Sequence, residues 1–157
     1  MIVAVDSSGT VNDPPINMVA VRLKTKKNNE VEQKHCILYM SVRVHDEYKK
    51  RMDANWRLKL SAALMFKTME TLVKPGDVIF IDKDFTGIRK ERVEKYLKKL
   101  FGKFYYGTPL NNPTIRFITR EDSIDIKTAD IKSKKARHRE LPRRDCPNLW
   151  DCIDCLG

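Results

Sequence analysis

Four consecutive apolar residues, Val78-Ile79-Phe80-Ile81, stand between Lys74-Pro75-Gly76-Asp77 and Asp82-Lys83-Asp84. The run has no polar face and is bounded by turn formers. It therefore predicts a strand that needs cover on both sides, as a central strand does. Such a strand requires neighbours beside it and helices above and below. Residues 2–6 predict another strand, short, β-branched and ended by Ser7, Ser8 and Gly9. The 157 residues suit one domain of ordinary size. With 41% hydrophobic and 33% charged residues the chain can fill a core under an ionic surface, which excludes a disordered tail, a collagen-like rod and a disulfide-stapled mini-protein.

The remaining segments follow from the period of their apolar residues. A polar loop is expected at Asp13-Pro14-Pro15, where two prolines forbid helix. Residues 17–24 and 31–44 predict the second and third strands of an antiparallel meander. From about 46 to 73 the recurrence of Trp56, Leu60, Ala63, Leu64, Met69 and Leu72 predicts one long amphipathic helix. A second helix is expected over 89–101, a loop over 102–113, a strand over 114–119 and a last helix from Ser123 to about Arg139. After Pro142 the tail is expected to be irregular. The order β-β-β-α-β-α-β-α predicts an α/β fold: a mixed five-stranded sheet flanked by helices, in a domain spanning 1–141 with a Cys-containing tail over 142–157.

Charge narrows the partners. Lys plus Arg number 31 against 21 Asp plus Glu, a net charge of +10, which favours a polyanion such as DNA or RNA. No run approaches the roughly 20 apolar residues of a membrane span, and the opening MIVAVD lacks the basic lead-in of a signal peptide. Three of the four cysteines crowd into the last dozen residues, a spread that suits a reducing compartment better than a disulfide framework. The expected location is the cytoplasm, with no membrane partner.

Acidic residues fall at three telling places. Asp6 closes the first strand, Asp82 closes the fourth, and Asp130 lies in the last helix. Carboxylates at the ends of buried strands are costly unless paired, solvated or bound to metal. If strands one and four are neighbours, repulsion raises one pKa unless a divalent cation absorbs both charges, and oxygen ligands select Mg²⁺ or Mn²⁺. Each residue also has a plainer role: Asp6 as a turn former, Asp82 and Asp84 as polar groups at a strand exit, Asp130 as the i,i+4 partner of Lys134.

The element order, with AVDSSGT, IFIDKD and TADIKSKKARHRE, resembles the ribonuclease H-like superfamily over roughly residues 1–139. The resemblance implies a metal-dependent nuclease: Asp6, Asp82 and Asp130 as catalytic metal ligands, with products carrying 5′-phosphate and 3′-hydroxyl ends. AVDSSGT is similar to the opening of type 2 ribonucleases H, with Ser7 where that family has its second carboxylate. Type 1 enzymes place a glutamate near the start of the first helix, where this chain offers Lys59. A fourth ligand is then expected from Asp84 or Asp125; otherwise the site holds metal weakly or has lost catalysis. The alternative function is a non-catalytic nucleic-acid-binding or assembly module. A third reading is a nucleotidyl- or phosphoryl-transferring enzyme that uses the same carboxylates on a small substrate, and the absence of GxxxxGK[ST] and GxGxxG disfavours it.

Lys132, Lys134, Lys135, Arg137 and Arg139, with Arg143 and Arg144 beyond, crowd the last helix and its exit. Together with Lys59 they are expected to hold phosphates without reading sequence. Arg89, Lys90 and Arg92 open the second helix, where the macrodipole disfavours cations, a placement that suggests phosphate contacts. In the tail, Cys152-x-x-Cys155 is half of a zinc site, and Cys146 would need Cys36, His35 or His138 as a fourth ligand. The competing expectation is that Leu149, Trp150, Ile153 and Leu156 pack on the domain with the thiols as apolar fillers.

Overall fold

Val3 and Val5 point to one face of the first strand and Ala4 to the other, so this strand separates two cores. The computed structural model describes residues 1–26, 29–82, 87–105, 113–118 and 124–157. Its strands are β1 (Ile2–Thr10), β2 (Asp13–Lys26), β3 (Asn29–Met40), β4 (Val78–Asp82), β5 (Thr114–Ile118) and β6 (Arg144–Asp145). Its helices are α1 (Val42–Arg51), α2 (Trp56–Met69), α3 (Ile88–Phe104), α4 (Ile124–Arg137) and α5 (Trp150–Cys155). One mixed sheet runs β5-β4-β1-β2-β3-β6. The meander β1-β2-β3 is antiparallel, whereas β4 is parallel to β1 and β5 is parallel to β4. The Val78–Ile81 run is central, as its composition requires.

The larger core lies between the sheet and α1, α2, α3 and α5. Helix α2 is its middle: Leu60, Ala62, Ala63, Leu64, Phe66 and Met69 are all buried. On the opposite face α4 lies across β1 and β2, and its buried Ile126, Ala129 and Ala136 close over Ala4, Val19, Val21, Leu23 and Ile37. The spacing of these residues, with buried Ser133 between them, places small side chains at the contact and lets the helix approach closely.

Four expectations need correction. Asp13-Pro14-Pro15 lies inside β2, not in a loop; the register of β1 with β2 shifts between Ser8 and Thr10, and at such a bulge proline is tolerated. The predicted long helix is two. Ser41 caps α1, its hydroxyl accepting from the Val44 N–H at 3.2 Å, so β3 stops at Met40. Asp53 then accepts from the Asn55 N–H at 3.0 Å in the turn that separates α1 from α2. Residues 142–157 are ordered: β6 adds a sixth strand beside β3, and α5 buries Leu149, Cys152, Ile153 and Leu156 in the main core. The loop expected over 102–113 gives way at its start to α3, which runs to Phe104; 106–112 lie outside the described residues.

Gly9 ends the segment that begins at Asp6. Its φ is 81°, and a Cβ there would collide with the carbonyl oxygen of Pro15. Gly9→Ala is expected to destabilise the protein by about 1–3 kcal/mol, the scale of local backbone strain. Urea unfolding of the two proteins at equal pH checks this.

Candidate active site

The parallel pairing of β1 with β4 runs from Ile2 with Val78 to Val5 with Ile81. One step further on, Asp6 and Asp82 stand side by side at the carboxyl ends of neighbouring strands, on the face covered by α4. Asp130 reaches the same point from α4. Asp6 is the hub: its carboxyl lies within hydrogen-bonding reach of both the Asp82 and the Asp130 carboxyls. The three side chains expected to share a site are thus brought together from β1, β4 and α4. As placed, among the described residues no group of three or more His, Cys, Asp or Glu side chains could hold a metal ion.

Asp6 is only 5% exposed. Its Oδ1 accepts from the Ser7 N–H at 2.7 Å, but its buried Oδ2 meets no donor. Two residues on, the buried Ser8 Oγ is likewise without a partner. Burial pushes the Asp6 pKa up to about 9; the Asp82 charge and hydrogen bonding with Asp82 and Asp130 add to this, and the Ser7 N–H opposes it. An acceptor in this position calls for a proton or a cation. Asp130 also pairs with Lys134 across one helical turn, Nζ to Oδ2 at 3.0 Å, so the expected i,i+4 contact exists beside the contact with Asp6. The donor set is all oxygen, which suits Mg²⁺ or Mn²⁺. Asp84 lies outside the described residues, as does the side chain of Asp125.

Beside Asp6 and Asp82 opens a cleft of about 150 Å³. Val5, Ile16, Met18, Leu64 and Ile81 form its apolar wall; Arg57 and Arg89 stand at its mouth. Arg57 Nε donates to Asn12 Oδ1 at 2.7 Å, and its guanidinium lies 4.9 Å from the Trp56 ring centroid, so both a polar and an aromatic contact fix it. Arg57 and Asn12 were not expected in a site. Their contact joins residues 45 apart, and no local pattern signals it.

Lys59 is a correction. It is not a phosphate contact but is buried, donating to Asp53 Oδ2 at 2.8 Å and to the Gly157 carbonyl at 2.6 Å. Its charge ties the start of α2 to the turn at Asp53 and to the residue that follows α5. Arg143 is also structural: it donates to Asn17 Oδ1 at 2.9 Å and lies 3.7 Å from the Tyr39 ring centroid. Arg92 donates to Asn55 Oδ1 at 3.1 Å. Lys134, Lys135, Arg137 and Arg139 are exposed along and just beyond α4, and Lys132 is half-buried.

The tail cysteines are free thiols. Burial pushes Cys146 up to about 12 and Cys152 up to about 11, which keeps both thiols neutral at pH 7. They pack in and against the core beside Leu149, Trp150, Ile153 and Leu156, as the apolar-filler expectation holds.

No protein-family model and no curated protein matches this chain in sequence.

The raised Asp6 pKa has a signed consequence. Below about pH 4 the carboxyl is protonated in both folded and unfolded chains. Between about 4 and about 9 the unfolded chain has released the proton and the folded chain keeps it. The contribution of Asp6 to stability is therefore full below the lower value and lost as pH rises through the upper one, at a slope of at most about 1.4 kcal/mol per pH unit. In EDTA, Asp6→Asn is expected to flatten that decline and to unfold at higher urea concentration than the unsubstituted protein at pH 8. Urea titrations from pH 5 to 9 measure both.

Proposed function

We propose that the protein is a metal-dependent nuclease with a ribonuclease H-like arrangement of sheet and helices, hydrolysing phosphodiester bonds of DNA or RNA. The observation that carries this reading is the meeting of Asp6, Asp82 and Asp130 from three separate elements at the carboxyl ends of two parallel central strands. Their positions correspond to those the resemblance implies. The donor-less Asp6 Oδ2 supports it further, because a buried acceptor beside two carboxyls is a fit for a hard cation.

In this reading Asp6, Asp82 and Asp130 hold Mg²⁺ or Mn²⁺, which supplies charge neutralisation at the scissile phosphate and a more acidic water. The protein's own groups do the rest. Arg57, fixed by Asn12 and Trp56, and Arg89 at the opening of α3 bind phosphate oxygens at the mouth of the cleft. Lys135, Arg137 and Arg139 hold the flanking backbone by charge alone. Burial of Asp6 keeps water from screening the carboxyl cluster.

A second reading has its own observation. The 3.0 Å pair of Lys134 with Asp130 gives one carboxylate a counter-charge without metal, as a non-catalytic binding module would need.

The two readings separate on metal. For the nuclease, Mn²⁺ raises the melting temperature, and single-stranded, duplex and hybrid substrates are tested for cleavage. Asp6→Asn and Asp82→Asn are expected to lower cleavage by about 100-fold or more, the scale of losing one positioned catalytic group. No thermal shift and no cleavage of any of these substrates would leave the binding module. In either reading the affinity for nucleic acid falls steeply with salt, and Lys135→Ala with Arg137→Ala lowers the slope of log K against log salt by about 0.9 per lost duplex phosphate contact. A flat salt dependence overturns both.

A further inference from the structure

The cleft beside the carboxyls is a poor place for a phosphate and a good one for a ring. Its 150 Å³ is well below the roughly 300–1,000 Å³ of pockets that take whole drug-sized ligands. It matches the roughly 150 Å³ cavity that takes a single benzene ring. Leu64 and Ile81 line it from α2 and β4, and Met18 and Met65 bring thioethers, which favour contact with aromatic rings. The charged groups of its lining are the exposed Arg57 and Arg89 and, at the strand ends, Asp6 and Asp82. A ligand that satisfies both parts carries an aromatic heterocycle and, one sugar away, a phosphodiester.

We propose that this cleft receives one unpaired base of the nucleic-acid strand whose backbone lies at Asp6, Asp82 and Asp130, so that the substrate class is single-stranded, bulged or branched nucleic acid. This rests on the nuclease reading above. A base inside an intact duplex is stacked and paired and cannot enter a cavity in the protein; it must be unpaired already or leave the stack at a cost. Arg57 and Arg89 flank the entrance where the phosphates on either side of that base would lie. The apolar wall answers a ring as such, so the site selects strand state; Ser61 and Asn12 are polar side chains of the lining that a base could also meet.

The test measures binding without cleavage. Oligonucleotides carrying one 2-aminopurine are titrated with the protein in EDTA as a single strand, as a full duplex and as a duplex with that base in a one-nucleotide bulge. A fourth oligonucleotide has an abasic site in the bulge, and 2-aminopurine nucleoside 5′-monophosphate serves as the free nucleotide. The single strand and the bulge are expected to bind at least about tenfold more tightly than the full duplex, and the abasic bulge to lose that advantage. Thr10→Trp at the exposed rim and Ser61→Leu inside the cleft should each remove the preference with the circular dichroism spectrum unchanged. Equal affinity for paired, bulged and abasic forms overturns the proposal, as does a blocked cleft that discriminates as before. Free monophosphate binding as tightly as the strand would make the ligand a nucleotide and overturn it too. Cleavage of the same oligonucleotides in Mn²⁺ is read separately: cleavage without base preference sinks only the base site, and base preference without cleavage sinks only the nuclease.

Discussion

Two buried aspartates mark opposite ends of the paired strands β1 and β4, and they are treated in opposite ways. Asp77, just before β4, receives Arg22 Nε and Nη2 at 3.2 and 3.1 Å and the Lys74 N–H at 2.8 Å. Burial alone would push its pKa up, but these donors more than offset that and hold it below the usual carboxylate value. Asp6, at the other end, has one backbone donor, two carboxyl neighbours and an oxygen facing none. One end of the strand pair is electrostatically complete, and the other is complete only with a proton or a cation added. An unsatisfied buried polar group weakens a fold that could have kept an apolar residue there. Its presence at the carboxyl ends of parallel strands, where α/β sheets bind their ligands, has a functional explanation ready to hand.

The rest of the architecture serves that end. Small side chains at Ala129, Ser133 and Ala136 let α4 lie close to the sheet, which brings Asp130 within reach of Asp6. On the other face α2 carries Arg57 and the wall of the cleft, and its position is fixed from behind. Lys59 ties it to Asp53 and to the Gly157 carbonyl, while α5 inserts Ile153 and Leu156 into the same core. Removing either oxygen partner would leave the largely buried Lys59 ammonium short of an acceptor. The segment after Pro142 is thus a brace for the helix that shapes the cleft.

Much of this was legible in the residues. The Val78–Ile81 run signals a strand covered on both faces. Strand-end aspartates at 6 and 82 signal a shared rim only if their strands are neighbours, and that pairing is visible only in three dimensions. What escaped was set by contacts distant in sequence or by local signals that compete. Pro14 and Pro15 exclude helix but leave open a strand with a bulge beside Gly9. Val42 and Val44 favour strand, yet the Ser41 cap decides for helix. Lys59 reads as a surface charge in any single-sequence view, because the Asp53 turn and the Gly157 carbonyl that satisfy it are visible only in three dimensions. Arg57 is hidden for the same reason, its partner Asn12 lying in the β1–β2 turn.

The charge balance at the cluster bears on how Lys134 and a metal would coexist. In the metal-binding reading a divalent cation would answer the carboxyl oxygens that Lys134 does not reach. Lys134 is then a complement to the ion and no rival for it. Its 3.0 Å bond occupies one oxygen of Asp130, and Asp6 Oδ2 remains the position without a donor. Protonation serves the same balance when no cation is present, which is why burial beside Asp82 and Asp130 raises the Asp6 pKa so far. If the proposed divalent ion binds here, it would compete with a proton for the Asp6 carboxyl, and its affinity would rise with pH across the range in which that proton is otherwise retained.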